Sequence, residues 1–328
     1  MALAIIGVGH AIVDLFVEAD HSFLDALSLE PGTMVLVETS ETARILEHLS
    51  VVKATSGGSA ANTLVGVASL GREASFIGTL GRDAFGETYA ADLAAAGVKF
   101  EPVHYGEDGE RTGHCVVVVT PEGQRTMLTH LGASTGVARA MEALLEEPAP
   151  GIVYFEGYVL DSPGAEAVMN RMLANPIEGR RIAFSLSDRN LVERRKAEIY
   201  QMLHSGGVGL VLGNEGEACE LTGAADAASA VDRLAELVPQ GAITLGAEGA
   251  LVYSGSERVE VQAFSTEVVD TTGAGDLFAA GYLAAVESGA DLRTRGELGC
   301  LCAAEVISHF GARPAVRLAE LAGGLLGQ

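Results

Sequence analysis

The sequence predicts an α/β protein with a doubly wound, mostly parallel sheet that carries helices on both faces. Three observations support this class. From Val137 onward, apolar strand-like runs alternate regularly with helical stretches, as in parallel strands joined by helical crossovers. The chain also begins with a short apolar strand, and a β-rich pair of runs within 113–131 interrupts the alternation. We expect one main domain spanning residues 1–328, with a small β-rich lid inserted in it.

The amino-terminal part of the main domain begins with a buried strand at Leu3–Val8. Asp14 follows shortly afterwards, and we expect it at the carboxyl end of that strand or at the exit from it, where ligands of open α/β sheets gather. The segment T-S-G-G-S-A-A-N-T, residues 55–63, opens the next helix, and its glycines permit a close approach of the backbone. The elements predicted here are a helix over about 60–70, a strand at 74–78 and a helix at 85–96.

Two segments break the alternation and predict the lid. Gly113–Thr120 and Arg125–Leu131 are β-rich runs separated by Pro121-Glu122-Gly123, which is a hairpin signal. Parts of residues 15–53 mix turn signals with short β-like and amphipathic stretches. We assign these parts, together with 99–131, to a β-rich lid that excludes water from a reaction site.

The second half of the chain predicts the rest of the sheet and its covering helices. The predicted strands lie at 152–156, 181–185, 208–212, 242–245, 250–254 and 258–262. The predicted helices lie at 137–146, 163–174, 191–203, 215–222 and 226–237, followed by one opened by Gly273 and one at about 292–310.

The composition bounds the class of function. The 328 residues are 48% hydrophobic and 20% charged, which is enough to bury a large core. The formal net charge of −23 argues against a surface for nucleic acid or for an anionic membrane. No lysine lies in a glycine-rich loop, so a P-loop nucleotide site is excluded and the phosphate contacts must come from backbone and arginine.

The cysteines and the start of the chain favour a cytoplasmic protein. The cysteines have neither metal-ligand nor disulfide-framework spacing, and we expect reduced, packed thiols. The histidines include no H-E-x-x-H pair, which argues against zinc. Residues 1–9 lack the basic region of a signal peptide, and no apolar run approaches membrane-spanning length.

The stretch that carries the chemistry is V-D-T-T-G-A-G-D-L-F-A-A-G-Y-L-A-A, residues 269–285. Gly273, Ala274 and Gly275 can bring successive backbone N–H groups together at a helix start, where the helix dipole also favours an anion. Asp276 would repel a resting phosphate there, and it makes better sense as a base that takes a proton from a hydroxyl. The pairing predicts phosphoryl transfer to an alcohol.

Two motifs, G-G-S-A-A-N at residues 57–62 and D-T-T-G-A-G-D at residues 270–276, stand on either side of the predicted hairpin. With them the chain resembles the ribokinase-like family of carbohydrate and nucleoside kinases, often called the PfkB family, over essentially its whole length. The resemblance implies that Asp276 is the general base and that the amides of residues 273–275 form the anion hole. A tight turn with a capping acid is the alternative for the second motif taken alone.

The same resemblance implies a nucleotide side. It assigns Asn214 and Glu217 of N-E-G-E to Mg²⁺ and the triphosphate, with Glu217 acting on the metal directly or through water. The residues that it places near the nucleotide and its phosphates are Thr244, Gly246 and Gly249 of T-L-G-A-E-G, with Thr272. An N-cap with acids in the first helical turn and an ordinary glycine-rich turn are the respective alternatives.

On the acceptor side, the resemblance implies that Asp14, Gly58 and Asn62 hold hydroxyls, since a carboxylate and an amide can grip a vicinal diol. Arg125, at the hairpin, is a candidate phosphate contact. A solvated loop acid is the alternative for Asp14, and a surface arginine is the alternative for Arg125.

Residues around these motifs indicate the kind of acceptor. Ser59 stands where ribokinases carry lysine, and F-E-G-Y, residues 155–158, resembles the adenosine-kinase-like branch, with Tyr158 near a base. Two departures are His10, where adenosine kinases have asparagine, and Asn190, near the place of an aromatic residue against the purine. We count His10, Ser59 and Tyr158 among the acceptor-binding residues.

The sequence thus predicts an ATP- and Mg²⁺-dependent kinase that phosphorylates a primary hydroxyl, with the 5′-OH of adenosine or a close nucleoside favoured. The alternatives are the same reaction on a free sugar such as ribose or fructose, and a catalytically silent ligand-binding regulator. The expected partners are these small molecules and ATP, with neither nucleic acid nor membrane. Monomer and homodimer both stay open, as does a monovalent cation (K⁺) near Asp270 and Ala312.

Overall fold

The computed structural model describes residues 4–27, 29–30, 33–106, 110–121, 125–146 and 150–325. Leu3 of the first predicted strand and Glu122-Gly123 of the predicted hairpin turn lie outside these residues. The strands are β1 (Ala4–Val8), β2 (Ile12–Glu18), β3 (Met34–Leu36), β4 (Val51–Gly57), β5 (Ala74–Ile77), β6 (Thr79–Leu80), β7 (Lys99–Phe100), β8 (Val103–His104), β9 (Gly113–Val119), β10 (Arg125–His130), β11 (Gly151–Phe155), β12 (Arg180–Ser185), β13 (Val208–Asn214), β14 (Gln240–Thr244), β15 (Ala250–Ser254) and β16 (Glu257–Val261).

Helices connect most of these strands. They are α1 (His21–Ala26), α2 (Thr39–Leu46), α3 (Ser59–Ser69), α4 (Ala84–Ala95), α5 (Val137–Met141), α6 (Ala143–Glu146), α7 (Ala165–Ala174), α8 (Arg189–Arg194), α9 (Lys196–His204), α10 (Glu215–Thr222), α11 (Ala227–Ala235), α12 (Ala274–Glu287), α13 (Leu292–Val306) and α14 (Leu318–Leu321). Short 3₁₀ turns lie at Gly132–Gly136, Gly157–Asp161 and Gly246–Glu248. No helix in the described ranges is long and apolar enough to cross a bilayer.

Nine strands form the main sheet, in the order β16-β15-β14-β13-β12-β11-β1-β5-β7. The strands from β7 to β14 pair in parallel, and β15 and β16 add antiparallel neighbours at one edge. Successive side chains of a strand point to opposite faces, and each face has its own core. Tyr154 and Leu210 pack with α3, α12 and α13, whereas Phe155 and Val211 pack with α7, α9, α10 and α11. The predicted doubly wound α/β architecture is confirmed.

A second sheet of five strands has the order β3-β10-β9-β2-β4. The predicted hairpin is confirmed, because β9 and β10 pair antiparallel with His114 opposite His130. One face of this sheet packs on α1 and α2 through Val17, Val116, Leu24 and Ile45. The sheet therefore has an apolar core of its own beside the main one.

The structure corrects several predicted elements. Asp14 does not lie at the end of the first strand but in the middle of β2, because the alternating run I-V-D-L-F-V-E forms a strand of the second sheet after only a three-residue connection. The predicted helix 137–146 is divided into α5 and α6. The predicted helix 191–203 is divided into α8 and α9 by Arg195, whose φ of −115° and ψ of 19° are not helical. The last predicted helix, 292–310, ends at Val306.

Candidate active site

Helix α12 begins in a turn that only glycine fits well. Gly273, the residue before the helix, has a left-handed φ of 79°, and a Cβ there would lie 2.7 Å from the Cα of Ala312. The N–H of Ala274 donates to the carbonyl oxygen of Thr271 at 3.2 Å, so this amide already has an acceptor. No acceptor within the described chain receives the N–H of Gly275, which is exposed. Of the three predicted anion-hole amides, those of Gly273 and Gly275 thus have no acceptor within the described chain, whereas that of Ala274 has one.

Asp276 lies one residue further along α12, at the end of the second signature motif, and contacts the first one. Ser59 donates its hydroxyl to Oδ1 of Asp276 at 2.6 Å, and Asn62 donates its amide Nδ2 to Oδ2 at 3.0 Å. Burial raises the pKa of Asp276, and these two hydrogen bonds oppose the rise. A carboxylate with a raised pKa is better matched to accept a proton at neutral pH.

A cavity of about 290 Å³ lies beside this carboxylate. The predicted acceptor residues that line it are His10, Asp14, Gly58, Ser59 and Tyr158. Asn62 stands behind Ser59, one helical turn into α3, and is buried. The structure thus brings all six predicted acceptor residues to one place.

Gly58 allows the start of α3 to approach the first strand. Its φ of 93° is left-handed, and a Cβ would lie 2.2 Å from the carbonyl oxygen of His10. His10 is itself held in place, because its ring Nε2 lies 2.7 Å from the hydroxyl oxygen of Ser162. Burial lowers the pKa of His10 to about 4, so its ring is neutral at physiological pH.

Glu156 is a buried acid that sequence reasoning missed. It follows β11 directly, accepts the backbone N–H of His10 at 2.8 Å, and accepts that of Ala60 at 2.7 Å. Burial raises its pKa to about 7. The carboxylate therefore ties the end of β1 to the start of α3 at the floor of the cavity. Its position directly after a buried strand was the available signal in the sequence.

Asp14 reaches the cavity from the second sheet. Burial raises its pKa to about 7, while the charges of Arg313 and Arg125 lower it and that of Asp276 raises it. The surrounding wall includes the apolar side chains of Met34, Leu36 and Met127. Other charged side chains on the lining that sequence reasoning missed are Asp161, Asp188 and Arg194, of which Asp161 and Arg194 form an ion pair.

A second, larger cavity of about 710 Å³ lies on the other side of the start of α12. The predicted residues that line it are Thr244, Gly246, Gly249, Ala274 and Gly275. Phe264, Val268 and Ile307 add apolar surface to it. Pockets that bind small molecules are typically lined by such a mixture of apolar side chains and a few polar groups.

Asn214 and Glu217 form a capping box at the start of α10. Asn214 accepts the N–H of Glu217 at 2.9 Å, and its own N–H and side-chain amide donate to the Glu217 carboxylate at 3.0 and 2.6 Å. Asn214 also stands next to Thr244 in the sheet register. Burial raises the pKa of Glu217 to about 7. The capping role is thus present, and any contact of Glu217 with a metal would add to it.

No group of three or more His, Cys, Asp or Glu side chains suited to a metal is present in the described part of the chain. Asn214 and Glu217 offer one amide and one carboxylate, and Mg²⁺ in nucleotide sites is held by one or two carboxylates, water and phosphate oxygens rather than by a protein cage. Since both oxygens of Glu217 already accept hydrogen bonds, the carboxylate fits contact through water better than direct coordination.

Arg125 contacts the segment before α12 rather than standing free at the surface. Its guanidinium lies 2.7 Å from the Asp270 carboxylate and donates to the Thr272 hydroxyl at 2.9 Å. Asp270 also accepts from the N–H and hydroxyl of Thr272 and from the N–H of Gly311. These donors occupy all the acceptor positions of the carboxylate. The Asp270 carboxylate therefore joins Arg125 of β10 and the loop at Gly311 to the segment before α12.

Together, the fold and the site define a phosphotransferase of the kinase type, with the start of α12 and its Asp276 between the smaller cavity and the larger one. The chain belongs to the pfkB family of carbohydrate kinases, whose family model matches residues 33–318. The resemblance in the two signature motifs is thereby confirmed, and the protein is a kinase.

Individual relatives divide between sugars and a nucleoside. A "probable sugar kinase" from Rhizobium etli is 34% identical, with a TM-score of 0.88 and coverage of 99% of each chain. An adenosine kinase from Sinorhizobium meliloti is 36% identical, with a TM-score of 0.85 and coverage of 98% of this chain and 99% of that one. An "uncharacterized sugar kinase" from Archaeoglobus fulgidus is 29% identical over 76% of this chain and 97% of its own.

Proposed function

We propose that this kinase transfers the γ-phosphoryl group of ATP to a primary hydroxyl of a nucleoside, and specifically to the 5′-OH of adenosine. The position of Asp276 carries the proposal. Its carboxylate is hydrogen-bonded to Ser59, which lines the acceptor cavity, while Ala274 and Gly275 directly before it line the larger cavity. A hydroxyl in the first cavity and a triphosphate in the second would meet at the start of α12.

In the proposed reaction, Asp276 takes the proton of the acceptor hydroxyl. The oxygen forms a new bond to the γ-phosphorus, and the bond from that phosphorus to the β–γ bridging oxygen breaks, so ADP leaves with the electron pair. The Gly275 amide and the positive end of α12 favour the negative phosphoryl oxygens. Mg²⁺, held through water by Glu217 beside Asn214, would neutralise charge on the phosphates.

The walls of the acceptor cavity favour a nucleoside. Asp14 offers a carboxylate to sugar hydroxyls, whereas Met34, Leu36 and Met127 present an apolar surface that a flat base would cover. A free sugar would leave this surface in contact with water. The similarity over 98% of the chain to an adenosine kinase that is 36% identical supports the same acceptor.

The second candidate is a free sugar as acceptor. Asp161, Asp188 and Arg194 give the cavity additional polar groups that could bind further hydroxyls. The sugar kinases among the relatives support this alternative. A catalytically silent regulator is disfavoured. Such a protein would have lost the base or the turn before α12, and both Asp276 and this turn are present.

A panel of acceptors tests the choice. With ATP and Mg²⁺, we expect kcat/KM for adenosine to exceed that for ribose and fructose by on the order of 10²-fold. The reason is that the adenine ring would cover the apolar wall of the cavity. The measurement is the formation of phosphorylated product, with Asp276→Asn as the background control. Turnover of ribose or fructose with adenosine left untouched would overturn the nucleoside proposal and leave the kinase chemistry intact.

We also propose that the second sheet acts as a lid over the acceptor cavity. It supplies Asp14, Met34 and Met127 to the cavity, and Arg125 joins β10 to Asp270 just before α12. Only 13% of the Arg125 side chain and 8% of the Asp270 side chain are exposed, so their ion pair is largely shielded from water. Such a contact is suited to hold a lid closed during transfer.

Substitution of Arg125 tests this role. We expect Arg125→Gln to lower kcat/KM roughly ten-fold or more, because a shielded charge-assisted contact is lost, and to raise ATP hydrolysis in the absence of acceptor. The control is Arg111→Gln, which changes an exposed arginine just before the same hairpin. If Arg125→Gln changes neither kcat/KM nor the rate of ATP hydrolysis without acceptor, the ion pair does not hold a lid closed.

A further inference from the structure

We propose that Arg313 is a positioning residue that fixes the side-chain amide of Asn62 and preserves the negative charge of Asp14, and so prepares both the base and the acceptor for transfer. The inference rests on the proposed function, because it takes Asp276 as the base and Asp14 as an acceptor ligand. Arg313 lies after α13, outside both signature motifs.

The orientation of Asn62 depends on what each end of its amide meets. Arg313 donates from Nε to Oδ1 of Asn62 at 3.5 Å, and Asn62 donates from Nδ2 to Asp276 at 3.0 Å. With the amide reversed, its oxygen would face a carboxylate and its NH₂ group would face a guanidinium. Both contacts would then be repulsive, so Arg313 and Asp276 together favour the orientation in which Asn62 donates to the base.

The backbone around Arg313 is packed on the start of α12. The N–H of Gly311 donates to Asp270 at 2.8 Å, and Ala312 lies where a side chain at Gly273 would be. The same short loop therefore contacts the turn that forms the anion hole and supplies the arginine. A displacement of the Arg313 backbone relative to Asp276 would therefore also disturb these contacts.

Asp92 of α4 holds the other side of the guanidinium. Its Oδ2 lies 3.8 Å from Nη1 of Arg313 and accepts the N–H and hydroxyl of Ser56, at 3.2 and 2.6 Å. The next residue, Gly57, is packed so closely that a Cβ would lie 2.3 Å from Oδ2 of Asp14. Asp92, Arg313 and Asp14 thus surround the end of β4, where the first signature motif begins.

The buried guanidinium of Arg313 is a destabilising feature if the residue has only a structural role. Nη2 of Arg313 is buried and has no hydrogen-bond partner in the part of the chain that the structure describes. Burial also lowers the pKa of Arg313, although an arginine stays protonated at neutral pH. Since an unsatisfied buried donor destabilises a fold, the arginine is better explained by what it does for its neighbours.

The charge of Arg313 has a measurable consequence for Asp14. Burial raises the pKa of Asp14 to about 7, and Arg313 opposes that rise. The ionisable groups that face Asp14 are Arg313, Arg125 of β10, Asp276 of α12, Cys115 of β9 and Tyr89 of α4. Without the positive charge of Arg313, the pKa of Asp14 would rise further. The acid limb of the pH profile would then move to higher pH.

The test is the pH dependence of kcat/KM for the acceptor in Arg313→Gln and Arg313→Lys. For Arg313→Gln we expect the acid limb to move up by at least about half a pH unit, and kcat at high pH to fall on the order of ten-fold because Asn62 is then held by Asp276 alone. For Arg313→Lys we expect an acid limb near that of the wild type and a lowered kcat, since the charge remains but the planar Nε–H is lost.

The control is Arg317→Gln, in the same segment, where 75% of the side chain is exposed; its profile should match the wild type. If Arg313→Gln does not fold, Arg313→Lys decides. An unmoved acid limb in Arg313→Gln, or a wild-type kcat in Arg313→Lys, would overturn the proposal. The Arg313 variants test the positioning role alone. The proposed function itself is tested by Asp276→Asn, with Arg313 unchanged.

Discussion

Replacing Asp276 by asparagine is expected to lower kcat on the order of 10²–10⁴-fold while the KM values for acceptor and ATP change little. An asparagine keeps the size of the side chain, its oxygen can accept from Asn62 and its NH₂ group can donate to the Ser59 hydroxyl oxygen, but it cannot take the proton of the acceptor. Ser59 and Asn62, which hold the carboxylate in the structure, can still contact the amide. Steady-state rates of acceptor phosphorylation measure the effect.

Asp291→Asn is the matched control for this substitution. Asp291 is also an acid at the start of a long helix, where it caps α13 by accepting the N–H of Thr294, but it is exposed. We expect its replacement to leave kcat near the wild-type value. If Asp276→Asn phosphorylates the acceptor as fast as the wild type, Asp276 is not the base.

Replacing Gly273 by alanine is expected to destabilise the protein by roughly 1–3 kcal/mol, because a left-handed backbone is combined with a contact to Ala312. If the helix start also forms the anion hole, kcat should fall on the order of 10²–10³-fold as the amides move. The measurements are the free energy of unfolding from denaturant titration and kcat at saturating substrate.

Gly275→Ala is the control for Gly273→Ala, because it adds the same methyl group at a position without backbone strain or a close contact. A Cβ at Gly275 meets no atom within 4 Å, and the residue lies within helix α12. We expect its stability to equal that of the wild type or to increase by about 0.5–1 kcal/mol, as for other helical glycines. Equal stability of the two variants would contradict the assignment of strain to Gly273.

The parts of the site that could be predicted are those in which neighbouring residues carry the signal. The turn before Asp276 and the glycines of the first motif are local features, since a left-handed backbone and a helix start are specified by adjacent residues. The hairpin was recognisable for the same reason. The alternation of strands and helices after Val137 likewise predicted the parallel sheet.

The remaining parts depend on contacts between distant residues. Asn62 and Asp276 are 214 positions apart, and Arg313 and Asn62 are 251 apart, so no short pattern links them. Strand β2 was missed because a short run with a central acid is ambiguous until its partner strands are known. Arg125 was recognised as a candidate, but its ion pair with Asp270 became visible only in three dimensions, whereas the N-cap at Asn214 was a local alternative in the sequence.

The three-residue connection between β1 and β2 has a consequence for how acceptor binding and lid movement are coupled. His10, inside this connection, is anchored to Glu156 on the main sheet, whereas Asp14, four residues later, belongs to the second sheet. Any rotation of the second sheet must therefore change the distance between Asp14 and Asp276. If the second sheet moves as the proposed lid, an alcohol that prefers one of these distances shifts the equilibrium between lid positions by the ratio of its two affinities, and the acceptor is then both the substrate and the effector of closure.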